Sequence, residues 1–183
     1  MGSSEEGLYL QVLVVRCQLG DRAAFAQMLS VCQPRLRAYL HKMLPRPDDV
    51  DDLAQEVWGD VFRDLSSLAK PASFLPWLYR IAHNRAARLM RSSPPPTASL
   101  DEVTEAGETE EPVEFSADDA RAVHDALAQL TGVHREVLLL RFLEDMSYED
   151  IALVLQCPVG TVRSRIHNAK AALRQLLQNV RQS

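Results

Sequence analysis

The sequence predicts an all-α protein of two small helical domains joined by a flexible acidic linker, and three features of its 183 residues predict this. Segments that alternate with period two are scarce, whereas apolar residues recur repeatedly at helical steps of three and four. Ser92-Ser-Pro-Pro-Pro-Thr97 breaks regular structure, and Asp101 to Asp119 then carries nine acids with no Lys or Arg, a composition unable to build its own core. The third feature is Met146 to Leu173, which reads as two short helices around a tight turn, the layout of a helix-turn-helix. The divisions that follow are a first domain over 1–93, a linker over 94–116 and a second domain over 117–183.

Composition narrows the chemistry. An apolar fraction of 46% is ordinary for a soluble globular chain. The net charge of −5 would disfavour nucleic acid if evenly spread, but a polyanion senses the local potential within a Debye length of about 10 Å. Cys17, Cys32 and Cys157 are far apart and odd in number, so a reducing cytosol is expected, with neither a metal site nor a full disulfide set. The run Leu8 to Val15 is interrupted by Gln11, follows Glu5 and Glu6, and is far shorter than the roughly 20 residues of a membrane span, so no export or spanning segment is expected. His41, His83, His124, His134 and His167 lie scattered with no nucleophile or ligand spacing beside them. Neither a catalytic residue nor a cofactor is therefore expected.

In the first domain, Leu8 to about Leu19 reads as a helix that Gly20 stops, and Asp21 caps a second one carrying Phe25, Met28 and Leu29. Pro34 should bend or divide that helix, and Pro45 and Pro47 end it. Asp48, Asp49, Asp51 and Asp52 crowd the start of a third helix running to about Leu65, where negative charge suits the macrodipole. One face of it is apolar (Leu53, Val57, Val61, Leu65) and another acidic (Asp52, Glu56, Asp60, Asp64). Four like charges at i,i+4 cost a few tenths of a kcal/mol per pair. With only Arg63 nearby, that cost suits a basic partner surface, and the plainer role of a solvated face fits the row equally.

A connection over 66–73 containing Lys70 and Pro71 leads to a fourth helix from Phe74 to Arg91. Between Leu65 and Leu100 there is no acid, while Lys70, Arg80, Arg85, Arg88 and Arg91 occur. Bases interleaved with Phe74, Trp77 and Tyr79 suit unpaired nucleotides, since each stack on an aromatic ring is worth about 1–3 kcal/mol. Core packing competes for Phe74 and Trp77, and at least one of them is expected to fill that role.

In the second domain, Ala120 to Leu130 and His134 to Leu143 read as amphipathic helices separated at Thr131-Gly132. Ser147 then caps the first helix of the turn motif, with Asp150 at the capping-box position, and Pro158 suits the first turn of the second. Val162, Ile166, Ala169, Leu173 and Leu176 form its buried stripe; Arg163, His167, Lys170 and Arg174 form the outward one. Val159 to Ser183 holds five bases and no acid, as suits a surface lying against phosphates.

Three runs carry a family resemblance. Asp52-Leu-Ala-Gln-Glu-Val57 resembles the region 2.2 signature of bacterial RNA polymerase sigma factors of the extracytoplasmic-function (ECF) group. Trp77-Leu-Tyr-Arg-Ile-Ala-His-Asn84 resembles region 2.3 to 2.4, and Cys157-Pro-Val-Gly-Thr-Val-Arg-Ser-Arg-Ile166 the region 4.2 recognition helix. Their order and spacing also agree, and the likeness covers all but the linker. The resemblance implies a non-enzymatic initiation factor with a region 2 helical bundle and a region 4 helix-turn-helix. It implies that Asp52, Gln55, Glu56 and Asp60 meet the beta-prime clamp helices of core polymerase. Lys70, Phe74, Trp77, Arg80, Asn84, Arg85 and Arg88 would capture the melted minus-ten element. Arg163, Ser164, His167 and Asn168 would face base edges of the minus-thirty-five element, with Arg165, Lys170 and Arg174 on phosphates. Further implied partners are the beta flap and an anti-sigma factor, in the cytoplasm and without membrane insertion. By the same analogy the linker threads the polymerase channel, although a plain solvated tether fits the sequence equally.

Three positions depart from the family pattern. Gln156 stands where glycine is commoner, so a conformation less strained than left-handed is expected there. Asn168 occupies an often basic position, and Thr131-Gly132 replaces a proline-containing break. The rival class is a DNA-binding regulator that acts without polymerase, its first domain a sensor. Against it stand the basic-aromatic helix over 74–91 and the lack of a receiver-like strand pattern.

Overall fold

The computed structural model describes residues 2–92 and 119–181, all of whose regular structure is helical, and the linker expected over 94–116 lies outside them. Two compact units result.

In the first unit, α1 (Gly2–Gln18) begins earlier than its apolar pattern suggests. It ends where Gly20 takes φ +90°, a left-handed turn open to glycine at little cost. Asp21 then caps α2 (Arg22–Met43) by accepting from the backbone N–H groups of Ala23 and Ala24 at 2.9 and 3.2 Å. Pro34 does not divide α2, which runs on as one helix. Pro34 and Ser30 are both exposed, so water can reach the Ser30 carbonyl that the proline leaves without a donor. After the proline-flanked turn, α3 (Asp49–Asp64) carries Asp49, Asp51 and Asp52 in its first turn. Two 3₁₀ turns, Leu65–Ser67 and Pro71–Ser73, deliver the chain to α4 (Phe74–Ser92). The side-chain amide of Gln18 donates to the Leu65 and Leu68 carbonyls, tying this connection to the end of α1.

The core of this unit joins Leu13, Met28, Leu36, Leu40, Val57, Val61 and Leu78, with Tyr39 and Tyr79 meeting edge to face at 5.1 Å. Ala82 and Ala86 are buried on α4, and their small side chains let it lie close against its neighbours. The buried side of α4 thereby decides which of its residues remain outside.

In the second unit, Thr131 caps α6 (Gly132–Leu138) by accepting from the His134 N–H, after α5 (Asp119–Gln129) has ended. The expected break at Thr131-Gly132 is therefore a helix start. Beyond Leu138 the helix widens into a π-helical stretch, Leu139–Leu143, instead of continuing regularly. Arg135 meets the open end of α5: its Nε donates to the Leu127 carbonyl at 2.9 Å and its Nη2 to those of Ala128 and Leu130 at 2.7 and 3.0 Å. Carbonyls of a last helical turn lack the regular i+4 donor, and the guanidinium serves three of them here, that of Leu127 together with the Leu130 N–H at 3.2 Å. Replacing Arg135 with Ala should cost about 2 kcal/mol, seen as a lower unfolding midpoint, with Arg135→Lys recovering only part of it. An unchanged midpoint would show that water serves these carbonyls equally well.

The turn motif follows as α7 (Tyr148–Leu155) and α8 (Val159–Arg181). Ser147 accepts the Asp150 N–H at 3.0 Å, and its hydroxyl donates to the Asp150 carboxylate at 2.8 Å. Pro158 stands one residue ahead of α8, its carbonyl taking the first helical bonds from Thr161 and Val162. Gln156 adopts φ 52°, ψ 44°, which is left-handed and corrects the expectation of a relaxed turn. Its N–H bonds the Ala152 carbonyl, the geometry that closes a helix in this way, and the turn tolerates a side chain there at a cost of roughly 1–2 kcal/mol. Val162, Ile166 and Ala169 are buried on α8 and form its inward stripe, while Leu173, near the end of the stripe, is only half-buried. No helix among the described residues is long and apolar enough to cross a membrane.

Candidate nucleic-acid and protein interfaces

Packing sorts the basic residues of α4 into two sets. Trp77, Arg80, Asn84, Arg88 and Arg91 recur at steps of three, four, four and three, and so share one stripe. Arg80, Asn84, Arg88 and Arg91 are exposed, and Trp77 is half-buried, its ring 6.3 Å from that of Phe74. Phe74 itself is 1% exposed, and so is Tyr79. Both belong to the core, which corrects the expectation that either offers a face to a base. Lys70 stands exposed on the connection before α4. Arg91 joins the stripe although the motif did not point to it; its place three residues beyond Arg88 was the available signal.

Arg85 faces the other way. Its Nε and Nη2 each donate to Asp60 at 2.7 Å, and its Nη1 donates to Glu56 at 2.6 Å. Arg63 adds a bond to Asp60 at 2.9 Å. The Asp60 side chain is only 14% exposed and that of Arg85 28%, so this is a partly buried interhelical bridge with bidentate geometry. Two expectations change with it. Within the acidic row of α3, Glu56 and Asp60 are offset from within the chain by Arg85, a cation the helical pattern of α3 does not report. Asp60 is also withdrawn from the outward acidic face, which leaves Asp52, Gln55 and Glu56 exposed there.

Burial pushes the Asp60 carboxyl up, but the hydrogen bonds from Arg85 and Arg63 outweigh it and hold the group below its ordinary range. The bond to Asp60 in turn raises Arg85. A carboxylate lowered in the folded state gives stability that is full above the unfolded value of about 3.9 and is lost as pH falls through the lower folded value. Asp60→Asn should therefore flatten the acid limb of the unfolding midpoint against pH, and parallel limbs in both proteins would sink this assignment. Between α3 and α4 lies an open groove of about 320 Å³, with Asp49, Asp52, Leu53 and Glu56 from one helix and Arg85, Arg88 and Leu89 from the other.

On α8, Arg163, His167 and Arg174 are exposed, and Lys170 is half-buried with its Nζ 5.4 Å from the centre of the Phe142 ring. These four share the outward stripe. Ser164 and Asn168 are half-buried on its flank, and the Ser164 hydroxyl donates to the Thr161 carbonyl at 3.0 Å. Arg165 lies off the stripe, its Nη1 3.9 Å from the Cys157 sulfur. Among the described residues no group of three or more His, Cys, Asp or Glu is placed to hold a metal ion.

Residues 28–93 match the family described as Sigma-70 region 2, and residues 120–173 match Sigma-70, region 4. The RNA polymerase sigma-H factor of Pseudomonas aeruginosa is 34% identical over 180 residues, which span 92% of this chain and 93% of that protein. The ECF RNA polymerase sigma-E factor of Haemophilus influenzae is 35% identical over 185 residues, spanning 94% and 97%. This chain belongs to the ECF sigma factors. Among solved structures, the sigma factor is similar to CnrH in complex with the cytosolic domain of CnrY, with a TM-score of 0.69, 25% identity and coverage of 93% and 98%. It is also similar to the sigma factor RpoE solved with the anti-sigma factor NepR from Bartonella quintana, with a TM-score of 0.65, 25% identity and coverage of 84% and 96%. The first unit thus corresponds to region 2 and the second to region 4.

Proposed function

We propose that this sigma factor binds core RNA polymerase in the cytoplasm and directs it to promoters, region 2 melting and capturing the minus-ten element and region 4 reading the minus-thirty-five element as duplex. The observation that carries this reading is that each unit presents a basic stripe on one helix, and the two stripes suit different forms of DNA. On α4, Trp77 lies among Arg80, Asn84, Arg88 and Arg91, with Lys70 before them, a mixture of ring and polar groups fitted to an unstacked strand. Unstacking a base costs a few kcal/mol. With Phe74 and Tyr79 in the core, Trp77 supplies the stacking on this helix and the polar groups must recover the rest. On α8, Arg163, His167, Lys170 and Arg174 line one side of a capped helix-turn-helix, fitted to a major groove, with Ser164 and Asn168 at the edge of the contact.

The exposed acids of α3, Asp52 and Glu56, together with Gln55, form the face offered to the beta-prime clamp helices. Region 4 meets the beta flap, and an anti-sigma factor is the expected restraint, as the complex of RpoE with the anti-sigma factor NepR suggests. No catalytic step belongs to the factor itself. Run-off transcription with purified host core polymerase on fragments of the host genome should yield specific transcripts only when the factor is added. Absence of specific initiation on every fragment would overturn the reading, and failure to co-purify with core would favour a regulator that works without polymerase.

A further inference from the structure

Arg85 lies on the promoter-facing helix, yet every contact described above for its guanidinium reaches to α3. We propose that Arg85 is a positioning residue, a brace through which Asp60 and Glu56 set the rotation of α4 and so aim the stripe of Trp77, Arg80, Asn84 and Arg88 at the minus-ten strand. The inference rests on the function proposed above, and three observations support it.

The bridge joins two helices by three short bonds from one planar group, so its geometry resists rotation of α4 more than a single surface ion pair could. It is also placed to matter. Arg85 follows Asn84 directly and stands three residues before Arg88, on the side of α4 next to the stripe. Close to it, the buried side of α4 is made by Ala82 and Ala86, which carry too little side chain to lock rotation by interdigitation. Finally, the two anchors differ: Asp60 is mostly buried and fixed by Arg63 as well, whereas Glu56 is exposed on the face proposed for polymerase. One guanidinium therefore connects the helix that meets the enzyme with the helix that meets the promoter.

The test uses holoenzyme at saturating core and a labelled promoter fragment recovered by the run-off experiment, well below the unfolding midpoint of each variant. Arg85→Gln should lower promoter opening about tenfold, the factor that 1.4 kcal/mol of lost positioning carries. The dependence of affinity on salt should stay as in the parent, because no phosphate contact is lost, whereas Arg88→Gln should reduce the slope by about one. Asp60→Asn should reproduce the Arg85→Gln loss, and the double variant should be no worse than either alone. A salt slope that falls in Arg85→Gln as it does in Arg88→Gln would make Arg85 a phosphate ligand and overturn the proposal. So would an Asp60→Asn holoenzyme that opens the promoter normally or better, since that is the result of releasing Arg85 toward DNA. If the parent factor initiates nowhere, the functional reading fails on its own, and the brace is still judged by unfolding of the free chain: additive midpoint shifts for Asp60→Asn and Arg85→Gln would show that the bridge does not couple the helices.

Discussion

A factor carrying Asp52→Lys should bind core polymerase at least about thirtyfold more weakly than the parent, because reversing a charge at a desolvated contact costs about 2 kcal/mol or more. Asp52 is the informative position. It is exposed in the first turn of α3, so its charge acts on the fold through the helix dipole, worth about 0.3–1 kcal/mol, offset by a few tenths of a kcal/mol of repulsion from Glu56. The unfolding midpoint should therefore move little while holoenzyme assembly is lost, and equilibrium titration of labelled factor with core reads the difference. Glu56 is less clean, since Glu56→Lys also sets a second cation beside Arg85. Unaltered core affinity in Asp52→Lys would remove this acidic face from the polymerase interface.

Arg163→Ala should lower initiation from the recovered promoter by roughly tenfold to a hundredfold, as expected where a bidentate base contact of about 1–3 kcal/mol is lost. The loss should be uneven across sequence: discrimination should relax at one base pair of the minus-thirty-five element and persist elsewhere. Arg165→Ala is the control within the same helix, because Arg165 leans on the Cys157 sulfur away from the outward stripe and should cost far less. Equal losses in the two variants, with both proteins folded, would mean that the orientation of α8 on DNA differs from the one proposed.

Much of the layout of the candidate site was readable along the chain. The charge change between α3 and α4, the acid-free helix over 159–181 and the Ser147 cap are local patterns, and local patterns survive folding unchanged. What could not be read was which side of α4 would be turned inward. Phe74 and Trp77 are three residues apart and chemically alike, yet one is core and the other half-exposed. Arg85 and Arg88 are likewise neighbours in sequence, yet α3 holds the first through short bonds that leave the second exposed. The acidic row shows the same limit: its internal repulsion is real, but Asp60 is relieved by a residue 25 positions along the chain, which no helical periodicity reports.

The chain's order of residues alone determined the helical class, the capped turn motif, the separation into two units and the sign of charge on each helix, because propensity, capping and i,i+4 spacing act over a few residues. Only the tertiary structure decided that Phe74 and Tyr79 fill the core, that Asp60 is withdrawn from the acidic face and that Arg85 is bonded to α3. Those outcomes depend on which helix side is desolvated and on charges brought together from distant positions, and both are settled when the helices pack.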